Sequence, residues 1–244
     1  MQFANILWQE SIHCKETPYS LDFNDVYFNS DNGLQETEYV FIEHNQLKAR
    51  FASLENSHFT IIETGFGTGL NFLAVAAHWL ALAPPSATLH YISIEKTPLT
   101  LADLTRTHAM WPQFATLSSE LLQQYTNIKT GNNVYSIARG RIQLALQVND
   151  ISYALALISQ RADAWLLDGF APAKNNEMWS SEVFEQVANL SKINTTFATF
   201  TSAGTVKRGL QAVGFNVKKY AGFGKKREML AGSFIGYSDE SNKI

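Results

Sequence analysis

The chain has 244 residues, of which 45% are hydrophobic, 12% aromatic and 17% charged. This composition supports one large domain, or one domain with a modest appendage, and excludes a disordered or fibrous protein. The formal net charge is −3, so the chain as a whole does not favour nucleic acid. The single cysteine, Cys14, excludes an intrachain disulfide and a cysteine metal cluster, and we expect no metal site. Because the first residues lack a signal-peptide pattern and the most apolar run, 72–83, is too short to span a bilayer, we expect a cytoplasmic protein without a membrane partner.

The pattern of apolar residues divides the chain into three parts. Residues 1–57 are predicted to be an N-terminal extension that packs on the active-site side, with turn signals followed by a helix at 33–47. From residue 58 to residue 237, strands and helices alternate in one domain, and 238–244 is a linker or tail. We predict strands at 59–63, 89–94, 141–148, 162–167, 196–201, 215–220 and 228–235, and helices at 71–82, 99–109, near 152, at 181–190 and at 205–213.

Strands that alternate with helices predict an α/β fold with a mostly parallel sheet covered on both faces. Seven strands are expected in this sheet. The last two follow each other without an intervening helix, which predicts an antiparallel strand at the sheet edge. We therefore expect a Rossmann-like fold with an antiparallel strand at the edge of its sheet.

Three glycines at alternate positions, Gly65, Gly67 and Gly69, follow the first predicted strand of the sheet and open a helix. Glycines there let the backbone turn tightly and approach a ligand. A nicotinamide-binding loop would need glycine at the position of Leu70. It would also need a helix N-terminus free to bind a pyrophosphate, and the nearby acid Glu63 would repel that group. The loop therefore favours S-adenosylmethionine and a methyltransferase fold, with a nicotinamide oxidoreductase as the alternative.

Acidic residues follow three further strands. Glu95 is expected beside a ribose diol, and Asp150 beside an adenine amine or at the N-cap of the next helix. Asp168 follows a buried strand and precedes Gly-Phe-Ala-Pro, a position where an ionised group is costly unless it has a function. We predict that Asp168 orients an amine nucleophile, accepts or passes on its proton, or offsets its charge during methyl transfer.

Five segments in order resemble the methyltransferase domain of the MnmC family, which takes part in the biosynthesis of 5-methylaminomethyl-2-thiouridine in tRNA. They are DVYFNSDNGL at 25–34, ETGFGTGLNFL at 63–73, DGFAPAKN at 168–175, ATFTSAG at 198–204 and GFGKKREM at 222–229. One departure is KINTT at 192–196, where a Pro-Gly-Gly-like turn is expected.

The resemblance implies N-methylation of the aminomethyl group of 5-aminomethyl-(2-thio)uridine at the tRNA wobble position, with Asp168 as the catalytic residue. It also implies that a loop around 31–33 closes over the cofactor. Many relatives carry a following FAD-dependent oxidase domain, for which this chain has no second dinucleotide fingerprint. Together with the glycine loop, the expected cofactor-binding residues are Asp31, Glu63, Gly65, Phe66, Gly67, Thr68, Gly69, Asn71, Glu95, Lys96, Asp150, Gly169 and Phe170.

Seven lysines and arginines and no acid lie between Lys207 and Arg227. By the resemblance, this basic part would meet the phosphates of tRNA near the anticodon. The tRNA-binding residues expected are Lys174, Lys225, Lys226 and Arg227. Phe28, Phe170 and Trp179 are candidates for stacking on a base, although core packing is the commoner role of such residues. Methylation of another amine, and a non-catalytic tRNA-binding module, remain open as alternatives.

Overall fold

A computed structural model of the chain describes residues 1–9, 16–29 and 32–237. Cys14, Asp31 and the predicted tail at 238–244 lie outside the described residues. Within them, β1 (Ile6–Gln9), β2 (Thr17–Ser20) and β3 (Asp25–Val26) form a small antiparallel sheet.

The prediction of one continuous helix at 33–47 is wrong. The structure has α1 (Gly33–Thr37), a π-helical segment (Glu38–Glu43) and α2 (Leu47–Ala52). Gln46 has a left-handed backbone with φ of 55°, which ends one helical path and starts the next. The side chain of Asn32 caps α1 by accepting a hydrogen bond from the amide of Gln35.

Within the described residues, the main sheet has eight strands rather than the seven predicted. They are β4 (His58–Glu63), β5 (Thr88–Glu95), β6 (Gly131–Ile137), β7 (Ile142–Val148), β8 (Ala162–Leu166), β9 (Ser191–Thr199), β10 (Phe215–Ala221) and β11 (Glu228–Phe234). Their order across the sheet is β10-β11-β9-β8-β4-β5-β7-β6. The pairs among β9, β8, β4, β5 and β7 are parallel, which confirms the predicted α/β class.

The antiparallel strands differ from the prediction. β11 does not lie at the edge; it runs antiparallel between β9 and β10, so that β10 is the edge strand and is parallel to β9. At the opposite edge, β6 pairs antiparallel with β7 in a hairpin that the prediction missed. Only alternate residues of β6 are buried, as expected for an edge strand with one face in the core.

Helices cover both faces of the sheet. They are α3 (Leu70–Leu82), α4 (Leu101–His108), α5 (Ala115–Tyr125), α6 (Ile151–Leu157), α7 (Ser181–Asn189) and α8 (Gly204–Ala212), with short 3-10 turns at Pro112–Phe114 and Glu177–Trp179. The core on the α3–α5 face also contains Phe41 and Phe51 of the N-terminal extension. The core on the other face packs around Trp165, Phe184 and Phe197. No helix in the described part of the chain has the length and apolarity to cross a membrane.

Candidate active site

A cavity of about 780 Å³ opens at the carboxyl ends of β4, β5, β7 and β8. Because parallel strands end at the same edge of a sheet, residues far apart in sequence meet there. The predicted site residues that line it are Gly65, Phe66, Gly67, Thr68, Asn71, Glu95, Lys96, Asp150, Asp168, Gly169, Phe170, Lys225 and Lys226. Glu63 and Gly69 lie behind this wall, Lys174 and Arg227 do not line it, and Asp31 is outside the described residues.

The glycine loop has the backbone that its sequence predicts. Gly67 and Gly69 adopt positive φ angles of 51° and 72°, which favour glycine. A Cβ on Gly65 would lie 3.1 Å from the carbonyl oxygen of Asp168, so this glycine permits the loop and the end of β8 to approach closely. Gly69 then serves as the N-cap of α3.

Glu95 braces this loop from the end of β5. Its carboxylate accepts hydrogen bonds from the backbone amides of Gly67 at 2.9 Å and Thr97 at 3.0 Å. Burial raises the pKa of Glu95, although these backbone donors oppose the shift. The residue lines the cavity, where its expected contact with a ribose remains a prediction.

Asp150 lies at the end of β7 and combines two contacts. One carboxylate oxygen caps α6 by accepting from the amide of Ser152 at 3.1 Å. The other lies 3.2 Å from the ammonium of Lys96, which also contacts Glu177 at 3.0 Å. The N-cap role is therefore present in the structure, and the expected adenine contact remains a prediction.

Asp168 is half-buried after β8 and shares one donor with Glu63, which is fully buried. The side-chain amide nitrogen of Asn71 donates to Asp168 Oδ2 at 2.7 Å and to Glu63 Oε1 at 3.0 Å. The hydroxyl of Thr37 donates to the oxygen of the same amide at 2.8 Å, which fixes which end of Asn71 faces the acids. Asp168 also accepts from the amide of Gly169 at 2.8 Å.

Burial changes the acidity of both carboxyl groups. It raises the pKa of Asp168 from 3.8 to about 6, against the hydrogen bonds from Gly169 and Asn71. It raises the pKa of Glu63 from 4.5 to about 8, and repulsion by Asp168 adds to this increase. At neutral pH, therefore, Asp168 is mostly ionised and Glu63 mostly protonated. The pair can hold one negative charge at the cavity.

We expect Glu63→Gln to flatten the pH dependence of folding stability. Because folding raises the pKa of Glu63 from 4.5 to about 8, its contribution to stability is fully present below pH 4.5 and is lost as the pH rises through about 8. Gln cannot titrate. Between pH 5 and pH 8.5 the free energy of unfolding should therefore decrease by on the order of 3 kcal/mol less in Glu63→Gln than in the wild type. Urea denaturation at the two pH values measures this, and a pH dependence equal to that of the wild type would contradict it.

Aromatic residues of the N-terminal extension cover one side of the cavity. The ring of Phe170 stacks on Phe23 at 4.5 Å between centroids and meets the edge of Tyr27 at 5.2 Å. Phe28 lies against Trp111 at 5.2 Å and also lines the cavity. The third candidate for base stacking, Trp179, is buried, and its indole donates to the carbonyl of Phe170. Trp179 therefore has a packing role.

The four basic residues expected to meet tRNA lie in different surroundings. Lys174 donates to the carbonyl of Asn24 and lies 3.5 Å from Asp25, so it fastens the N-terminal extension. Lys226 donates to Glu36 at 2.7 Å. Lys225 and Arg227 are exposed, and neither has an ion pair with any residue that the structure describes.

Several residues of the cavity and of the layer behind its wall had no signal in the sequence strong enough to identify them. Thr37 and Glu36 were assigned only to a helix, and Ser93, which donates to Glu63 at 2.6 Å, was assigned only to a strand. Phe200 lines the cavity directly after β9. The position of Glu36 beside a glycine-rich basic loop depends on packing between segments 190 residues apart.

Comparisons with known proteins agree with this geometry. A family model described as S-adenosyl-L-methionine-dependent methyltransferase matches residues 112–234. The chain is 51% identical over 231 residues to the tRNA 5-methylaminomethyl-2-thiouridine biosynthesis bifunctional protein MnmC of Methylobacillus flagellatus, and 48% identical over 230 residues to that of Chromobacterium violaceum. These matches cover 95% and 94% of this chain but 35% and 34% of the relatives, so the chain spans about a third of their length.

Among solved structures, MnmC2 from Aquifex aeolicus matches with a TM-score of 0.72 over 94% of this chain and 70% of that chain. At 20% sequence identity this likeness shows the fold, and it confirms the Rossmann-like methyltransferase architecture predicted from the order of strands and helices. The family match covers half of the chain, which includes Asp150 and Asp168 and does not include the glycine loop at 65–69. The chain therefore belongs to the S-adenosyl-L-methionine-dependent methyltransferases, and the predicted cofactor is confirmed as that of its family.

Proposed function

We propose that this chain methylates the primary amine of the aminomethyl group of 5-aminomethyl-(2-thio)uridine at the wobble position of tRNA. The observation that carries the proposal is the 51% identity, over 95% of the chain, to a protein named for the biosynthesis of 5-methylaminomethyl-2-thiouridine in tRNA. A tRNA substrate would be met in the cytoplasm. The relatives are named bifunctional, and we infer that their second activity, expected to be that of an FAD-dependent oxidase, belongs to the length that this chain does not match.

The residues of the cavity fit S-adenosylmethionine. The loop at 65–69 gives close backbone approach at the end of β4, and Glu95 and Asp150 offer carboxylate acceptors at the ends of β5 and β7. Asn71 and the backbone around Gly169 form the wall next to Asp168. When bound, the cofactor supplies an electrophilic methyl group on a positively charged sulfur.

Asp168 is suited to work on a primary amine. The nitrogen must lose a proton before its lone pair can attack the methyl carbon, and a carboxylate with a pKa of about 6 is ionised at neutral pH and can accept that proton. As the nitrogen–carbon bond forms, the carbon–sulfur bond breaks and the sulfur keeps its electron pair. Asn71 and Gly169 hold the carboxylate in a fixed orientation.

The direct test is methyl transfer from radiolabelled S-adenosylmethionine to tRNA purified from cells that accumulate the aminomethyl form of the wobble uridine. We expect label in that tRNA and none in tRNA with an unmodified wobble uridine. Nuclease digestion and chromatography should find the label in 5-methylaminomethyl-(2-thio)uridine. Labelling of proteins or small amines in place of tRNA would identify a different amine substrate and contradict the proposal.

We expect Lys225→Ala to weaken tRNA binding and to lower its salt dependence. The side chain of Lys225 is exposed at the mouth of the cavity. A tRNA phosphate that contacts this lysine would release its bound counterion. The slope of log K against log salt concentration should fall by about one. Titrations of the enzyme with tRNA at several salt concentrations, from low to moderate, measure this slope. Lys129→Ala is the matched control, because Lys129 is exposed beside β6 at the far edge of the sheet; equal slopes in both variants would contradict the assignment.

A further inference from the structure

The ammonium group of Lys226 lies in a small site built by two other segments. It donates a hydrogen bond of 2.7 Å to Glu36 Oε1 on α1, and it lies 4.3 Å from the ring centroid of Phe200, which follows β9. Both residues line the cavity. A carboxylate on one side and an aromatic face on another are the partners that bind a primary ammonium.

The two members of this ion pair are not equally exposed. The side chain of Glu36 is only 12% exposed, whereas that of Lys226 is 44% exposed. Glu36 is thus part of the wall, and Lys226 reaches in from solvent. The turn that carries Lys226 is tight: Gly222 donates to the carbonyl of Arg227, and a Cβ on Gly222 would lie 2.3 Å from the carbonyl oxygen of Lys226.

This site is next to the reacting carboxylate. Thr37, which follows Glu36 on α1, donates to Asn71 at 2.8 Å, and Asn71 donates to Asp168 at 2.7 Å. The charge of Glu36 also raises the pKa of Asp168, and the charge of Lys226 lowers it. An ammonium held between Glu36 and Phe200 is therefore close to Asp168, the group proposed to take its proton. Of the other acids that line the described part of the cavity, Glu95 accepts from backbone amides, Asp150 and Glu177 pair with Lys96, and Asp25 pairs with Lys174.

The end of a lysine side chain, a methylene bearing an ammonium, has the same chemistry as a protonated aminomethyl group. We propose that Glu36 and Phe200 form the binding site for the protonated aminomethyl group of the substrate, and that Lys226 occupies this site until the substrate displaces it. This inference rests on the proposed function and deepens it. It assigns recognition of the amine to Glu36 and acceptance of its proton to Asp168.

The order of events follows from these positions. The substrate ammonium replaces the Lys226 ammonium at Glu36 and Phe200, and Lys226 moves to solvent, where it can meet a phosphate. The substrate ammonium then gives one proton to Asp168 and becomes a neutral amine. Its lone pair forms the bond to the methyl carbon of S-adenosylmethionine while the carbon–sulfur bond breaks, which leaves the methylated nitrogen positively charged.

The test compares binding of two tRNAs that differ only in the aminomethyl group. Affinities of the aminomethyl form and of the unmodified form are measured at one salt concentration, and their ratio is the preference for the amine. Glu36→Gln keeps the shape of the side chain but removes its charge, and this preference should fall about tenfold. Phe200→Leu should lower it about threefold. Lys226→Met should raise it, because the internal competitor is gone.

Glu228→Gln is the matched control. Glu228 pairs with Lys219 at 2.6 Å outside the cavity, so this variant makes the same change in total charge and also frees one lysine. Its preference for the amine should equal that of the wild type. Thermal unfolding of each variant establishes that it is folded, and methyl transfer by the wild type is measured in parallel.

The outcomes separate the two ideas. Suppose the wild type methylates the aminomethyl tRNA while Glu36→Gln and Phe200→Leu keep the wild-type preference. The ammonium site is then wrong and the proposed function stands. If the wild type transfers no methyl group to either tRNA, the substrate assignment fails and this inference fails with it. A lower preference in Lys226→Met would also overturn the role of Lys226 as an internal competitor.

Discussion

Asp168→Asn should lower the turnover number for methyl transfer about 100-fold or more while leaving affinity for S-adenosylmethionine close to that of the wild type. The carboxylate of Asp168 accepts from two donors, Asn71 at 2.7 Å and Gly169 at 2.8 Å. Asn has the same shape and one acceptor oxygen, so it retains one of these bonds. It cannot accept a proton from the amine, and it carries no charge to offset the ammonium.

Single-turnover rates with saturating tRNA and calorimetry with the cofactor measure the two quantities separately. In the wild type, the rate should fall as the pH is lowered through about 6, because protonation of Asp168 removes the base. This limb of the profile should be absent from the residual rate of Asp168→Asn. A full rate in the variant would remove the role assigned to Asp168, and a loss of cofactor affinity equal to the loss of rate would mean that the residue binds the cofactor.

Asn71→Leu should have the second largest effect, on the pH profile and on stability together. One amide nitrogen of Asn71 is a donor to both Asp168 and Glu63. Leu leaves the buried carboxyl group of Glu63 and the half-buried one of Asp168 without their shared donor, so the pKa of each should rise further. The acid limb of the rate should move to higher pH, and the free energy of unfolding should fall by about 2 kcal/mol.

Rates measured between pH 5 and pH 9 and urea denaturation at pH 7 test both parts of this prediction. Thr37→Val is the graded control, because it removes only the hydrogen bond to the oxygen of Asn71 and leaves both acids their donor. Its shift should be in the same direction and smaller. If the pH profile of Asn71→Leu coincides with that of the wild type, the bridge between the two acids does not govern the ionisation of Asp168.

Much of the cavity could be predicted because it is built from strand ends. Glu95, Asp150 and Asp168 each follow a strand that the pattern of apolar residues locates, and parallel strands end at one edge of the sheet. The loop of Gly65, Gly67 and Gly69 is also local, since its positive φ angles depend on residue type. For these residues, short-range sequence information is sufficient.

The contacts that were not predicted are those between distant segments. The position of β11 between β9 and β10 was not predicted, although β11 has no exposed residue and β10 is exposed from residue 218 to residue 221, as an edge strand is. The ion pairs of Lys174 and Lys226 were also not predicted. The sequence shows that these residues are positively charged, but which acid each one pairs with depends on how the N-terminal extension packs. Glu63 was expected to face the cofactor, and the structure has it behind Asn71 with no place on the cavity wall.

The inserted position of β11 has a mechanical consequence. Because β10 is parallel to β9, its last residue, Ala221, reaches the same edge of the sheet as the cavity, and the turn to β11 hangs over the opening. This turn, 222–227, is anchored by two paired strands and bears no part of the glycine loop. The turn also contacts the cavity wall, through the ion pair of Lys226 with Glu36. The rim of the opening and the glycine loop are therefore braced by different contacts, the rim by this ion pair and the glycine loop by the carboxylate of Glu95.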